Sequence, residues 1–236
     1  MVLCIVNAFV LNRRLYGLEI CVLIYTTKMP GFSEWESIAG TADAGELRER
    51  IFTGYKGGKP FIPYVPTVGL QTPVEWILDF GCGVGRSFPY LKSVARHVVG
   101  FDLEPMIARC RSLASESIDL LSSDWAEISG RRFDILFASL VLQHIETDIC
   151  RAYLADFARM APVVYLLTRL QSDFGANVLQ LVNSSGLFEV EECVEVEHNP
   201  ENHQLRQVGP RPFSQVAQGT DNLHYEVVLR SIRQFA

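Results

Sequence analysis

The chain has 236 residues, 48% hydrophobic and 20% charged, which is the length of one large domain with enough apolar content for a core and disfavours disorder. A formal net charge of −6 and a pI near 5.4 argue against a surface built to neutralise phosphates, so nucleic acid is not an expected partner. Cys4, Cys21, Cys82, Cys110, Cys150 and Cys193 lie far apart with no CxxC pair, which reads as reduced thiols in a cytoplasmic protein. His198 and His203 are five apart in a segment with Pro and Asn, a spacing that no helix places on one face, and no metal is expected.

The first 28 residues, MVLCIVNAFVLNRRLYGLEICVLIYTTK, are strongly apolar but interrupted by Arg13, Arg14 and Glu19. Neither half reaches the roughly 20 apolar residues of a membrane span, and no basic start or small-residue cleavage site marks a signal peptide. The segment reads as an accessory strand or helix pair, or as residues upstream of a start at Met29, and no membrane partner is expected. Residues 29–73 read as a helical lid or linker. They comprise a short helix, a better one near residues 46–52, and the connector TGYKGGKPFIPYVP. Its glycines and lysines do not have phosphate-loop spacing, and a proline follows Lys59 where such a loop would open into a helix.

From residue 74 to 236 the pattern alternates. Apolar runs VEWILDF, HVVGFD, SIDLLSS, FDILFAS and VVYLLTRL are separated by segments of helical character, PMIARCRSLAS and DICRAYLADFARM among them. Such alternation predicts βαβ units in a parallel sheet covered by helices. DFGANVLQLVNSSG predicts a further helix, begun near Ser172 or Asp173 and stopped by Gly186. FEVEECVEVE and HYEVVLRSI follow with no helix between them, so the sheet is expected to end in an antiparallel hairpin. The fold class is therefore α/β, a Rossmann-like, mostly parallel sheet of seven strands with helices on both faces.

ILDFGCGVGRS, residues 77–87, falls between the first parallel strand and the first helix. Glycines there let a ligand reach the backbone, and the helix start offers N–H groups. In open parallel sheets such ligands bind outside the carboxyl ends of the strands. A dinucleotide fingerprint would read GxGxxG or GxGxxA. Here Arg86 stands in the third small-residue position, and Asp79 puts a carboxylate where a pyrophosphate would be repelled and an ammonium group attracted. An NAD(P)-dependent reductase is thus an alternative with less support.

ILDFGCGVGRS, VVGFDLEPMI, SSDWAEI and FDILFASLVLQHI, in that order and spacing, resemble the motifs of the class I S-adenosylmethionine-dependent methyltransferases that act on metabolites. The resemblance runs from about residue 74 to the C-terminus and implies a methyltransferase with S-adenosyl-L-methionine as cofactor. It assigns Asp79 and the backbone of Gly81, Cys82 and Gly83 to the amino-acid end of the cofactor and Asp102 to the ribose hydroxyls. Leu103 and Met106 contact adenine, Asp124 takes its amino group with Trp125 beside it, and Gly85 and Ser139 complete the set. Glu104 departs from the short capping residue common in the family. A folded S-adenosylmethionine-binding protein without catalysis is the other alternative.

Several of these residues have a purely structural reading too. Asp102 could cap the helix that Pro105 opens, Trp125 could be core, and Cys82 reads as a small buried residue with no base beside it. His144 ends the fourth strand, and imidazole, ordinarily near pKa 6.5, suits a general base; the rival reading is a pocket wall. Lys56, Lys59, Phe32, Trp35, Tyr55, Phe61 and Tyr64, with the long loop 199–222, are expected to shape the pocket of a small-molecule substrate. No Asn-Pro-Pro-Tyr-like tetrapeptide follows the fourth strand, which favours an oxygen or carbon acceptor.

Overall fold

The structure, a computed structural model, describes residues 64–70, 73–113, 118–172, 175–198, 205–220 and 223–232 and three earlier strands. Those strands, β1 (Cys4–Ile5), β2 (Ala8–Leu15) and β3 (Leu18–Tyr25), pair antiparallel in a sheet of their own. The register of β2 on β3 runs from Ala8 opposite Tyr25 to Leu15 opposite Leu18, so the described residues of the segment left open between strand and helix are strand. The helices and most of the lid expected within 29–63 lie outside the described residues.

The main sheet is built from β4 (Val74–Phe80), β5 (Ala95–Phe101), β6 (Leu120–Ser122), β7 (Ile135–Ser139), β8 (Val163–Arg169), β9 (Phe188–His198), β10 (Leu205–Pro210) and β11 (His224–Ser231). Their order is β10-β9-β11-β8-β7-β4-β5-β6. Strands β4 to β8 are parallel, and β11 runs antiparallel to both β8 and β9. The expected antiparallel pairing of the last two apolar runs is therefore present, although β10 and a short helix, Phe213–Val216, lie between them in sequence where no helix was expected.

Side chains alternate across a strand, and the sheet buries both faces accordingly. Leu78, Phe80, Leu136, Ala138, Val164 and Leu166 face one layer, formed by α3 (Trp125–Ser129), α4 (Thr147–Met160) and α5 (Val178–Ser185). Ile77, Val98, Phe137, Tyr165 and Leu167 face the other, formed by α1 (Phe88–Val94), α2 (Glu104–Leu113) and residues 64–70. A strand covered on both sides must be apolar throughout, which is why β4, β7 and β8 were readable as continuous runs.

Two features depart from the sequence reading. Helix α5 begins at Val178, because Asn177 accepts the Gln180 N–H at 2.9 Å, while the Ser172 hydroxyl accepts the Ala176 N–H at 3.0 Å in a preceding turn. The helix does stop at Gly186, whose φ of 62° is the left-handed C-terminal conformation. The second departure is β10, an eighth strand inside the segment read as loop. It pairs with the outer edge of β9 and carries a bulge between Gln207 and Gly209. Its residues, LRQVGP, are mostly exposed and include Gly and Pro, so they show no alternation and suit only an edge. Among the described residues no helix is long and apolar enough to cross a membrane.

Strand β4 has β5 on one side and β7 on the other. The winding reverses there, so a crevice is expected outside their carboxyl ends.

Candidate active site

After Phe80 the chain turns through three glycines with positive φ: Gly81 at 74°, Gly83 at 55° and Gly85 at 88°. Only glycine adopts this region without strain. At Gly81 the demand is double, because a Cβ would lie 2.5 Å from Val141 Cγ2. The Gly81 and Cys82 N–H groups both donate to Phe101 O, at 2.8 and 3.1 Å, which ties the turn to the end of β5. Helix α1 then starts after Ser87 with Pro89 in its first turn, a favoured place for proline.

Two carboxylates border this turn. Asp79 is 2% exposed, and its Oδ2 is buried with no hydrogen-bond partner. Burial, and then the neighbouring Asp102 carboxylate, hold the Asp79 carboxyl well above the usual range. Asp102 is half-buried. Its Oδ2 accepts the Gly83 N–H at 2.6 Å and its Oδ1 accepts the Leu103 N–H at 2.7 Å. Burial lifts its pKa to about 6 against the downward pull of those two donors. A buried acid oxygen without a partner is costly and uncommon. Beside a second carboxylate and an open backbone turn, it suits a cationic donor.

The remaining predicted residues fall into three places. Leu103 and Met106 are buried at the start of α2, in the same cluster as Trp125. Cys82 is buried too, and burial pushes its thiol well up, which leaves little nucleophilic thiolate. Asp124 is exposed and caps α3 by accepting the Ala126 N–H at 2.9 Å. Trp125 turns inward: its indole N–H donates to Asp156 at 2.9 Å, and its ring packs 4.9 Å from both Phe101 and Tyr153. The indole therefore supports the Asp124 turn from within the core.

Beyond β7 the backbone is tightly set. Ser139 ends the strand, and Leu140 takes a φ of 55°, the one described non-glycine residue in the left-handed region, with its N–H donating to Leu167 O at 2.7 Å. Val141 then covers Gly81, and a 3-10 turn of Leu142–His144 presents a half-buried His144. This turn sets His144 shortly beyond the carboxyl end of β7.

Sequence reasoning missed a second polar cluster on the same face of the sheet. Glu226 of β11 is fully buried. It accepts the Tyr64 phenol at 3.1 Å, the Thr67 N–H at 2.9 Å, the Val68 N–H at 3.0 Å and the Thr67 hydroxyl. The Tyr64 and Tyr165 hydroxyls are 2.9 Å apart, and burial, with the Glu226 charge second, pushes the Tyr64 phenol well up. Tyr64 also donates its N–H to Arg86 O at 3.2 Å, with the Arg86 guanidinium 5.6 Å from its ring centre. Residues 64–70 thus form a strap from β11 to the glycine turn. The signal available was a lone Glu in the apolar run HYEVVLRSI, but its partners are distant in sequence.

Residues 77–161 match the family described as Methyltransferase domain. The order of strands and the glycine turn make the fold around that segment Rossmann-like. The matched segment, carrying the glycine turn and strands β4 to β7, resembles the class I S-adenosylmethionine-dependent methyltransferases, a family whose cofactor is S-adenosylmethionine. The N-methyltransferase NodS from Bradyrhizobium japonicum WM9, solved with S-adenosyl-L-homocysteine, shares the fold at 12% identity and a TM-score of 0.51, covering 86% of this chain and 99% of NodS. Magnesium protoporphyrin IX methyltransferase from Synechocystis PCC 6803 with bound cofactor is 19% identical at a TM-score of 0.44, covering 69% of this chain and 71% of its own. A TehB-like methyltransferase from Corynebacterium glutamicum is 18% identical at 0.47, covering 69% and 82%. No curated protein matches the chain.

Proposed function

We propose that this enzyme methylates an oxygen or carbon atom of a small-molecule acceptor, with the carboxyl ends of β4, β5 and β7 as its active site. The observation that carries the reading is the unpartnered, buried Asp79 Oδ2 beside the glycine turn. An α-ammonium group placed there would satisfy that oxygen and allow Asp79 to ionise beside Asp102. The N–H groups of residues 81–83 and the side-chain-free face of Gly85 would receive the rest of the amino-acid end. Asp102 would accept both ribose hydroxyls, Leu103 and Met106 would flank adenine, and Asp124 would take its amino group. Ser139, where β7 ends, would border the reacting centre.

The bound cofactor supplies an electrophilic sulfonium methyl group, so the protein has to align the acceptor and exclude water more than activate a leaving group. His144 would take the acceptor proton as the new bond forms. The strap from Tyr64 to Leu70, fixed by Glu226, would hold the wall of the acceptor pocket against the glycine turn. The fold is shared with an N-methyltransferase, so the acceptor atom is argued from the segment after β7. It reads Leu140-Val141-Leu142-Gln143 and lacks the polar-aromatic tetrapeptide that grips an amino group. The net charge of −6 favours a small molecule over nucleic acid.

Incubation of the full chain with methyl-labelled cofactor and a fractionated metabolite extract tests this. The expected result is S-adenosylhomocysteine together with a labelled product carrying an O- or C-methyl group. Cofactor that stays intact in every fraction, though bound, would overturn catalysis.

A further inference from the structure

The ribose acid and the adenine acid of the proposed site leave from different strands, Asp102 just past β5 and Asp124 just past β6. Strand β6 has three residues and is the outermost of the main sheet among the described residues. Its ladder with β5 ends at Phe101 opposite Ser122, and one further backbone bond follows, from the Asp102 N–H to Ser122 O at 3.3 Å. A loop that continues a short edge strand has sheet support on one side alone, and such loops open more readily than those between central strands. Asp124 sits on a loop of this kind.

A side-chain bond lies just past that point. The Ser123 hydroxyl donates to Glu104 Oε2. A carboxylate can only accept, so the direction of the bond is set by the groups themselves. Glu104 is exposed and opens α2, where the helix N-terminus favours a negative charge. Toward the other end of α2, the Arg111 guanidinium donates to Leu121 O at 3.1 Å. Helix α2 is thus tied to β6 and its loop from both ends. A serine at 104, the kind of short cap common in the family, would end at Oγ and leave Ser123 without this partner. The loop is also bonded within itself. Ser122 Oγ accepts the Asp124 N–H at 3.1 Å and donates to Glu127 at 2.6 Å, and Asp124 Oδ1 accepts the Ala126 N–H at 2.9 Å. Glu104 therefore holds residues 122–127 to α2 as a unit.

We propose that Glu104 and Ser123 form a clasp that fixes the adenine acid relative to the ribose acid, which makes Glu104 a positioning residue for the adenosine half of the cofactor. The assignment rests on the cofactor reading above. Glu104 acts through the loop and has no need to touch the ligand. One adenosine must meet Asp102 and Asp124 together, so a loop that drifts has to be reordered at each binding event, and affinity falls by that cost.

Calorimetric titration of the full chain with S-adenosylhomocysteine tests the clasp, on the native protein, Glu104→Ala, Ser123→Ala and the double variant. Each single change should weaken binding by about three- to tenfold, the range for one surface bond to a charged group. The double variant should bind no worse than the weaker single one, since both changes remove the same bond. Glu104→Gln keeps an acceptor oxygen for Ser123 and should stay within about twofold of native. Melts of the unliganded variants should agree within about 2 °C, and backbone amides 123–126 should exchange faster in both alanine variants. Unchanged affinity in either alanine variant, losses that multiply in the double variant, or Glu104→Gln as weak as Glu104→Ala would overturn the clasp and leave the cofactor reading in place. Absence of binding to the native chain would overturn the cofactor reading and the positioning role together, and amide exchange would still show whether the two side chains hold the loop.

Discussion

Asp79 and Glu226 are buried carboxylates on one face of one sheet, and they are treated in opposite ways. Glu226 is 0% exposed and receives donors from Tyr64, Thr67 and Val68. Asp79 is 2% exposed and keeps one oxygen without any partner. A buried acid that the chain satisfies by itself is part of the fold. One that the chain leaves wanting a donor, at the mouth of a glycine turn, is the acid that the proposed reading gives to a ligand.

The largest effect expected from this contrast is at Glu226. In Glu226→Gln a single acceptor oxygen would face donors that a carboxylate now shares, and an NH2 group would point at N–H groups. The loss should be about 3 kcal/mol of stability, from bonds to a charged group and a buried donor left unmade. Denaturant unfolding should show it, with a Tm lowered by roughly 6–12 °C for a chain of this size. A loss under about 0.5 kcal/mol would show that the strap is not held through Glu226.

The second variant reverses the pattern. Asp79→Asn keeps the shape and replaces a carboxyl whose charged form burial and the neighbouring Asp102 disfavour in the free protein, so the melt of the unliganded chain should stay level or rise. Affinity for S-adenosylhomocysteine should fall by about 1.5–3 kcal/mol, a ten- to hundredfold change in Kd. If instead the melt falls as far as in Glu226→Gln, with affinity intact, Asp79 belongs with the structural acids.

Acid pH sharpens the comparison, since Asp102 titrates at about 6 in the free protein against about 3.9 for an exposed aspartate. Between those values the folded chain holds the extra proton. Its contribution to the stability of the free protein is therefore present below about pH 4 and lost as pH rises through about 6. If Asp102 holds the ribose as proposed, cofactor affinity should have the opposite slope, because two ribose hydroxyls are best accepted by the ionised carboxylate. Calorimetry should find affinity rising with pH, by at most about tenfold per unit, and levelling above pH 6. A flat profile between pH 4.5 and 7 would remove Asp102 from the ribose site.

The smallest effect is at Trp125. Trp125→Phe loses the indole bond to Asp156 and part of a core ring, which should cost about 1–2 kcal/mol of stability. Cofactor affinity should change less than twofold in a titration, because the ring packs inward. A tenfold loss of affinity with stability intact would place the indole against adenine.

The parts of this molecule that sequence alone made legible are those whose reason is local. Strands β4, β7 and β8 are buried on both faces and read as apolar runs. The glycine turn needs positive φ at 81, 83 and 85, and Asp79 and Asp102 stand at strand ends that the same pattern locates. What was not legible depends on partners far along the chain. Glu226 looks like one polar position in a strand until residues 64–68 fold onto it. Strand β10 has no pattern of its own and exists because β9 offers an edge. The start of α5 was misplaced by five residues or so, since both Ser172 and Asn177 are good capping residues and only the turn between them decides. Trp125 was ambiguous because a tryptophan beside a binding loop and one beneath it have the same neighbours in sequence.

Whether the glycine turn and its two acids hold an S-adenosyl group is read directly by calorimetric titration of the full chain. S-adenosylhomocysteine should bind at one site, and a prior charge of reduced nicotinamide dinucleotide should not diminish the signal. Saturable binding of the dinucleotide with no heat from S-adenosylhomocysteine would contradict the account.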